Sequence, residues 1–114
     1  MANFVFFILK DYNKAILDFD KAISINPNFE EAYYNRGCRY AELQEYNKAI
    51  ADFNKAISIN PNLAEVYTNR GVVYAKKKDY NKAILDFDKA ISINPNLTEA
   101  YYNRGCRYAE LQEY

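Results

Sequence analysis

The groups in this chain that could do chemistry are two thiols, several paired carboxylates and a lysine run, and their spacing argues against catalysis. Cys38 and Cys106 sit at equivalent places in the sequence, with no second Cys and no His at metal-ligand spacing. Arg39 and Arg107 follow them directly, but adjacent helical residues do not face each other, so neither is placed to activate a thiolate. Asp18 and Asp20, like Asp86 and Asp88, are two residues apart, which puts the carboxylates on different helix faces. Lys14 with Asp18, and Lys82 with Asp86, read instead as i,i+4 surface pairs. Lys76-Lys77-Lys78 reads as a solvated turn between helices. The sequence has no His, so the commonest general base and the commonest zinc ligand are both missing. No nucleophile–base set and no phosphate loop can be assembled. The expectation is a protein that is not an enzyme, with no catalytic residues, no metal and no cofactor.

Composition narrows the partners. Fifteen basic and fifteen acidic residues cancel, which leaves no electrostatic footprint for DNA or RNA and no basic surface for an anionic membrane. Proteins and peptides are the default. Two widely separated cysteines make no disulfide framework, which places the chain in a reducing, cytoplasmic compartment. No apolar run approaches the ~20 residues of a membrane span. Phe4 to Leu9 is apolar, but it lacks the basic start, the length and the cleavage site of a signal peptide.

These residues are positioned by a repeat. Pro27, Pro61 and Pro95 are 34 apart, as are Tyr12, Tyr46, Tyr80 and Tyr114; Gly37, Gly71 and Gly105; and Ala15, Ala49 and Ala83. That period is one helix–turn–helix unit. Within it, Ala15, Ile16, Phe19, Ala22 and Ile23 form one stripe of a 3.6-residue helix. Asn13, Asn47 and Asn81 stand where an amide oxygen could cap the stripe's N-terminus. Asn-Pro-Asn closes each stripe, since proline cannot continue a helix and Asn tolerates a left-handed C-terminal turn. The spacing predicts helices over 13–25, 30–43, 47–59, 64–77, 81–93 and 98–111.

Tyr33-x-x-Arg36-Gly37-x-x-Tyr40, followed by Ala49-x-x-x-Phe53, Ala56 and Pro61, resembles the tetratricopeptide repeat motif, and Tyr67 to Pro95 repeats it. Two columns depart from the family pattern. Tyr33, Tyr67 and Tyr101 stand where Trp is frequent, and Arg36, Arg70 and Arg104 replace Leu, with the stem expected to pack and the head to sit in water. The resemblance implies an all-α, right-handed superhelical array of antiparallel helix pairs, an α-solenoid. Residues 1–114 would form one array: a truncated repeat over 1–29, full repeats over 30–63 and 64–97, and an orphan first helix over 98–114. It also implies a concave face, lined by first helices, that takes a peptide or a partner protein. Here that face would be Glu31, Tyr34, Asn35, Cys38 and Glu42; then Glu65, Thr68, Asn69, Val72 and Lys76; then Glu99, Tyr102, Asn103, Cys106 and Glu110. Asn35, Asn69 and Asn103 are the best single candidates, because an amide can both donate to and accept from a peptide backbone. Glu31, Glu65 and Glu99 stand where some members hold cations for acidic chaperone tails, so a basic or neutral peptide fits better.

A longer period overlies the first. Residues 10–46 recur as 78–114, differing only at Phe29/Leu97 and Glu30/Thr98. Such fidelity points to recent duplication or to engineering, and it favours a second function: a structural module that binds copies of itself. Register equates Ala2–Leu9 with Arg70–Lys77, yet ANFVFFIL stands where RGVVYAKK would. That segment reads as an apolar cap, as foreign sequence, or as a sticky segment that meets another chain. Phe4, Phe6 and Phe7 at one end, with Tyr101 and Tyr108 at the other, are the expected self-association residues. A closed homodimer is favoured over head-to-tail polymers.

Overall fold

The computed structural model describes the backbone of residues 2–112 and the side chains of residues 11–112. Phe4, Phe6 and Phe7 lie outside the described side chains. The described residues form α1 (Ala2–Ile25), α2 (Glu30–Glu42), α3 (Tyr46–Ile59), α4 (Ala64–Lys76), α5 (Tyr80–Ile93) and α6 (Thr98–Gln112), with no strand among them. Five of these match the sequence expectation to within a residue at each end. They fall into two compact units, Met1–Ile59 and Asn60–Tyr114.

Each unit contains one helical hairpin, α2–α3 or α4–α5, packed by the same device. A Cβ added to Gly37 would lie 2.8 Å from the ring of Phe53, and one added to Gly71 would lie 2.7 Å from that of Phe87. No side chain fits there, so the missing Cβ is what lets the ring seat. Ala49, Phe53 and Ala56 are fully buried in the first unit, as are Ala83, Phe87 and Ala90 in the second. The two alanines of each hairpin allow the helices to approach closely, and burying each phenylalanine contributes about 1.5–3 kcal/mol.

The left-handed residues fall in the hairpin turns and not, as expected, in the Asn-Pro-Asn segments. Asn does not adopt the left-handed conformation; Gln44 (φ 61°) and Lys78 (φ 65°) do. The amides of Gln44 and Glu45 donate to the carbonyls of Ala41 and Tyr40 at 3.0 and 2.9 Å, and those of Lys78 and Asp79 donate to Ala75 and Tyr74 at 2.9 Å. This is a Schellman closure built on non-glycine residues, a strain of roughly 1–2 kcal/mol that the helix contacts must offset. The Asn-Pro-Asn segments make a different turn: Asn26, Asn60 and Asn94 accept, through Oδ1, the backbone amides of Asn28, Asn62 and Asn96. Asn47 and Asn81 fall inside the first turns of α3 and α5 rather than capping them, and Asp79 at the start of α5 makes no side-chain cap bond.

The first helix also departs from expectation. A break was expected before residue 13, but α1 runs unbroken from Ala2 to Ile25, through Lys10, the position equivalent to Gln44 and Lys78. A left-handed non-glycine residue forms only where a hairpin contact offsets its strain, and continuing the helix avoids that strain.

Gly71→Leu is therefore expected to cost about 3 kcal/mol through overpacking against Phe87, while Lys77→Leu, at an exposed helix end, changes stability by under about 0.5 kcal/mol. Urea denaturation midpoints check this; equal losses would mean that the glycine contact does not hold the hairpin.

Candidate functional site

What faces outward is set by what the hairpins turn inward, and the arginine column makes that choice. Arg36 donates through Nε and Nη2 to Asp52 at 2.8 and 2.7 Å, and through Nη1 to Asp20 at 2.8 Å. Arg70 forms the same fork with Asp86 at 2.8 and 2.7 Å. Each guanidinium also lies over two tyrosine rings: Tyr33 and Tyr40 for Arg36, Tyr67 and Tyr74 for Arg70. The heads are thus not in water, contrary to the expectation for this column. They are held between carboxylate and aromatic faces, where a planar fork outperforms a point charge. The Asp52 hydrogen bond holds the Arg36 guanidinium protonated well above its ordinary range, against the opposing effect of burial. Asp86 is correspondingly buried against Arg70, while Lys82 instead approaches Asp79 at 3.7 Å. The expected surface pairing of Lys82 with Asp86 does not form, and no Lys14–Asp18 pair is present among the described residues.

The tyrosine column has a physical reason too. Tyr33 and Tyr67 donate their hydroxyls to the carbonyls of Pro27 and Pro61 at 3.0 and 3.1 Å, tying each first helix to the preceding turn. A ring that can donate from its tip serves the place where the family often has Trp.

In the first unit, Glu31, Asn35 and Glu42 are exposed on α2, with Tyr34 and Cys38 half-buried. Asn35 makes no hydrogen bond among the described residues. Tyr34 packs on Phe53, with centroids 6.0 Å apart. Glu42 is partly engaged: Arg39 Nη2 reaches it at 2.6 Å, and the hydroxyl of Tyr12 hydrogen-bonds to it, which pushes the Tyr12 phenol up. Burial pushes the Cys38 thiol up; the Tyr34 hydrogen bond and the Arg39 charge oppose that without cancelling it. Such a thiol is a wall, not a nucleophile.

In the second unit, α4 and α6 touch directly. Glu65 and Lys76 are exposed and Asn69 and Val72 half-buried, but Thr68 is only 4% exposed and its hydroxyl donates to the Ala64 carbonyl at 3.0 Å. Thr68 therefore offers a ligand almost nothing. On α6, Tyr102 is 73% exposed, Glu99 is exposed, and Asn103, Cys106 and Glu110 are half-buried. Asn103 donates to the Glu99 carbonyl at 2.8 Å, and Glu110 takes Arg107 at 2.7 Å.

Sequence comparison supplies the family. A profile described as TPR repeat matches residues 5–38 and 37–78, and one described as tetratricopeptide repeat matches residues 64–97. The chain belongs to the tetratricopeptide repeat family. By sequence, no curated protein matches it. Among solved structures it is similar to the crystal structure of MamA (TM-score 0.86, 32% identity, 89% of this chain and 59% of that one). It is also similar to the Arabidopsis OM64 TPR domain (TM-score 0.86, 27% identity, 89% and 84%). A third likeness is to the first TPR of Spaghetti (RPAP3), solved with the HSP90 peptide SRMEEVD (TM-score 0.87, 23% identity, 94% and 85%), and it bears on the fold alone. The chain spans somewhat over half the length of the MamA chain. These likenesses place the chain in the all-α tetratricopeptide solenoid class. Among the described residues, no helix is long and apolar enough to cross a membrane.

The residues that sequence reasoning missed in this tetratricopeptide chain are Asp20, Asp52, Asp86 and Asp88 as arginine partners. The signal was present as a constant offset of sixteen residues, Arg36 from both Asp20 and Asp52, and Arg70 from Asp86.

Asp52→Asn should cost about 2–3 kcal/mol by leaving a mostly buried guanidinium without its counter-charge. Asp20→Asn, whose carboxylate is half-exposed on the same arginine, should cost under about 1 kcal/mol. Denaturant titration of both variants checks the contrast. For Cys38, a raised pKa means less thiolate at pH 8, so in a Cys106→Ser background iodoacetamide should react more slowly than with free cysteine and faster once urea unfolds the chain. A folded-state rate above that of free cysteine would refute the wall assignment.

Proposed function

We propose that this chain is a protein-interaction module that binds an extended peptide or a partner protein through exposed first-helix positions, those of α2 in the first unit and those of α4 and α6 in the second. In this reading residues 30–63 and 64–97 are complete repeats within one array, flanked by the partial repeats 1–29 and 98–114. The observation that carries it is Asn35: exposed on α2, without a partner among the described residues, and one turn from exposed Glu31. An amide so placed satisfies a peptide unit in both directions, and the hairpin's buried arginine fork keeps α2 from rotating it away. Carboxylates outnumber the one lysine, Lys76, at the same positions: Glu31 on α2, Glu65 on α4 and Glu99 on α6 make no ion pair among the described residues, while Glu42 and Glu110 are paired with Arg39 and Arg107. That charge favours a basic or neutral ligand over an acidic one.

A second reading is supported by Gly105. Among the described residues beyond its own stretch of helix, no atom lies within 4 Å of the place where its Cβ would be, whereas Gly37 and Gly71 hold phenylalanine rings there. Tyr101 and Tyr108, on the same side of α6, are 43% and 47% exposed. Here the chain's main partner is a copy of itself.

Fluorescence anisotropy with two labelled peptide libraries of equal length, one Lys/Arg-rich and one Asp/Glu-rich, tests the first reading. The basic library should bind more tightly, and Asn35→Ala should weaken it by up to about tenfold, the loss of one or two hydrogen bonds. Preference for the acidic library, or indifference to Asn35→Ala, would refute it.

A further inference from the structure

We propose that the Tyr101, Arg104, Gly105 and Tyr108 face of α6 docks helix α1 of a second copy, with Asp18 and Phe19 of that copy as its anchors. This deepens the self-association reading and rests on it.

The internal hairpin shows what such a face accepts. On α4 the matching residues are Tyr67, Arg70, Gly71 and Tyr74, and the helix that covers them is α5, whose segment from Asn81 to Ile93 reads NKAILDFDKAISI. Residues 13–25 of α1 have the identical sequence. A face that accepts α5 therefore accepts this part of α1 residue for residue. Two anchors make the internal contact: the Phe87 ring against Gly71, and Asp86 on the Nε–Nη2 edge of Arg70.

Both anchors are vacant on α6 and on α1 in complementary ways. Arg104 gives Nη1 to Asp88 at 2.9 Å, as Arg36 gives Nη1 to Asp20, and its guanidinium lies over the Tyr101 ring. Among the described residues, no carboxylate takes the Nε–Nη2 edge that Asp52 and Asp86 occupy on Arg36 and Arg70. On α1, Asp18 is exposed and makes no ion pair among the described residues, and Phe19 is half-buried where Phe53 and Phe87 are fully buried. Ala15 and Ala22 are likewise only half-buried, unlike Ala49, Ala56, Ala83 and Ala90. The reason is in the repeat. Asp52 and Asp86 find their arginines sixteen residues earlier, but sixteen before Asp18 stands Ala2. Because α1 continues straight through Lys10, no hairpin turn brings a helix back over this stripe.

One face thus holds a guanidinium edge without its carboxylate, beside an open glycine. The other holds a carboxylate without its guanidinium, beside a phenylalanine one residue on. Charge complementarity and identity with α5 select a second copy as the occupant, over an unrelated peptide. The contact is heterologous, so it propagates head to tail unless two copies exchange α1 helices and close.

Three variants of the 114-residue chain test this by size exclusion with light scattering across a dilution series. The unmodified chain should gain mass with concentration. Arg104→Asp and Asp18→Arg should each weaken association by about 100-fold, as expected when one member of a desolvated charge pair is reversed. Mixed together, they should regain association, because the unaltered α6 of the Asp18→Arg chain fits the unaltered α1 of the other and the two reversed charges complement each other at the opposite junction. Gly105→Leu controls for folding. Its site is open, so helicity and melting temperature should not fall, yet Phe19 can no longer seat and association should be lost. A chain that stays monomeric throughout would overturn self-association itself. Association that ignores both charge reversals and Gly105→Leu would overturn this docking while leaving self-association intact.

Discussion

A phenylalanine ring pressed against a glycine is the contact on which the rest of this structure depends. With less than 3 Å between the ring and the place of an absent Cβ, the two helices of a hairpin have one permitted separation and little freedom to slide. Ala49 and Ala56, or Ala83 and Ala90, are small because that separation leaves them no room. The left-handed Gln44 and Lys78 follow from the same constraint: the chain must reverse within three residues to bring Phe53 over Gly37 and Phe87 over Gly71. Local strain is accepted because a buried ring offsets it.

The arginine fork is secondary in energy but decisive in register. A ring on a glycine tolerates small rotations; a bidentate guanidinium–carboxylate pair does not. Placing Arg36 between Asp52 and two tyrosine rings gives the hairpin directional information that the family's usual leucine could not. Burying the pair carries a desolvation cost that takes up much of its Coulomb gain, so its value lies in excluding wrong alignments more than in stability. That specificity matters in a chain whose repeats are nearly copies, where an apolar face alone would accept any of several identical helices.

The fold was legible because period and helical stripe reinforce each other at every repeat, and Gly, Ala, Phe and Pro each have one role there. What the sequence concealed has specific causes. Lys82 and Asp86 have ideal i,i+4 spacing, so a local pair looked sufficient, but burial gave Asp86 to Arg70, sixteen residues away. Glycine is the usual left-handed residue, so Gln44 and Lys78 gave no signal. Residue type also failed to rank the candidate face: Tyr34 and Tyr102 occupy equivalent places, yet one packs on Phe53 and the other is largely exposed. Thr68 looked like a groove residue by register and proved buried.

Identical segments in unlike surroundings act as internal controls. Residues 31–46 and 99–114 have one sequence, so the burial of Tyr33 and the exposure of Tyr101 report only what covers them. The difference is the hairpin partner. Tyr33 donates to Pro27, whereas Tyr101 makes no corresponding bond to Pro95 among the described residues. Within a hairpin a three-residue connection holds the second helix at an effective concentration that no free copy matches, on the order of millimolar or above. The α2 and α4 faces are therefore closed to intermolecular competitors even though α1 carries the same anchors as α5. The near-identity of the repeats makes every second helix chemically compatible with every first helix, so within a hairpin it is connectivity that decides which contact forms. Among the described residues, the glycines of α2 and α4 are covered by such a tethered helix, and Gly105 on α6 is the one that meets no ring.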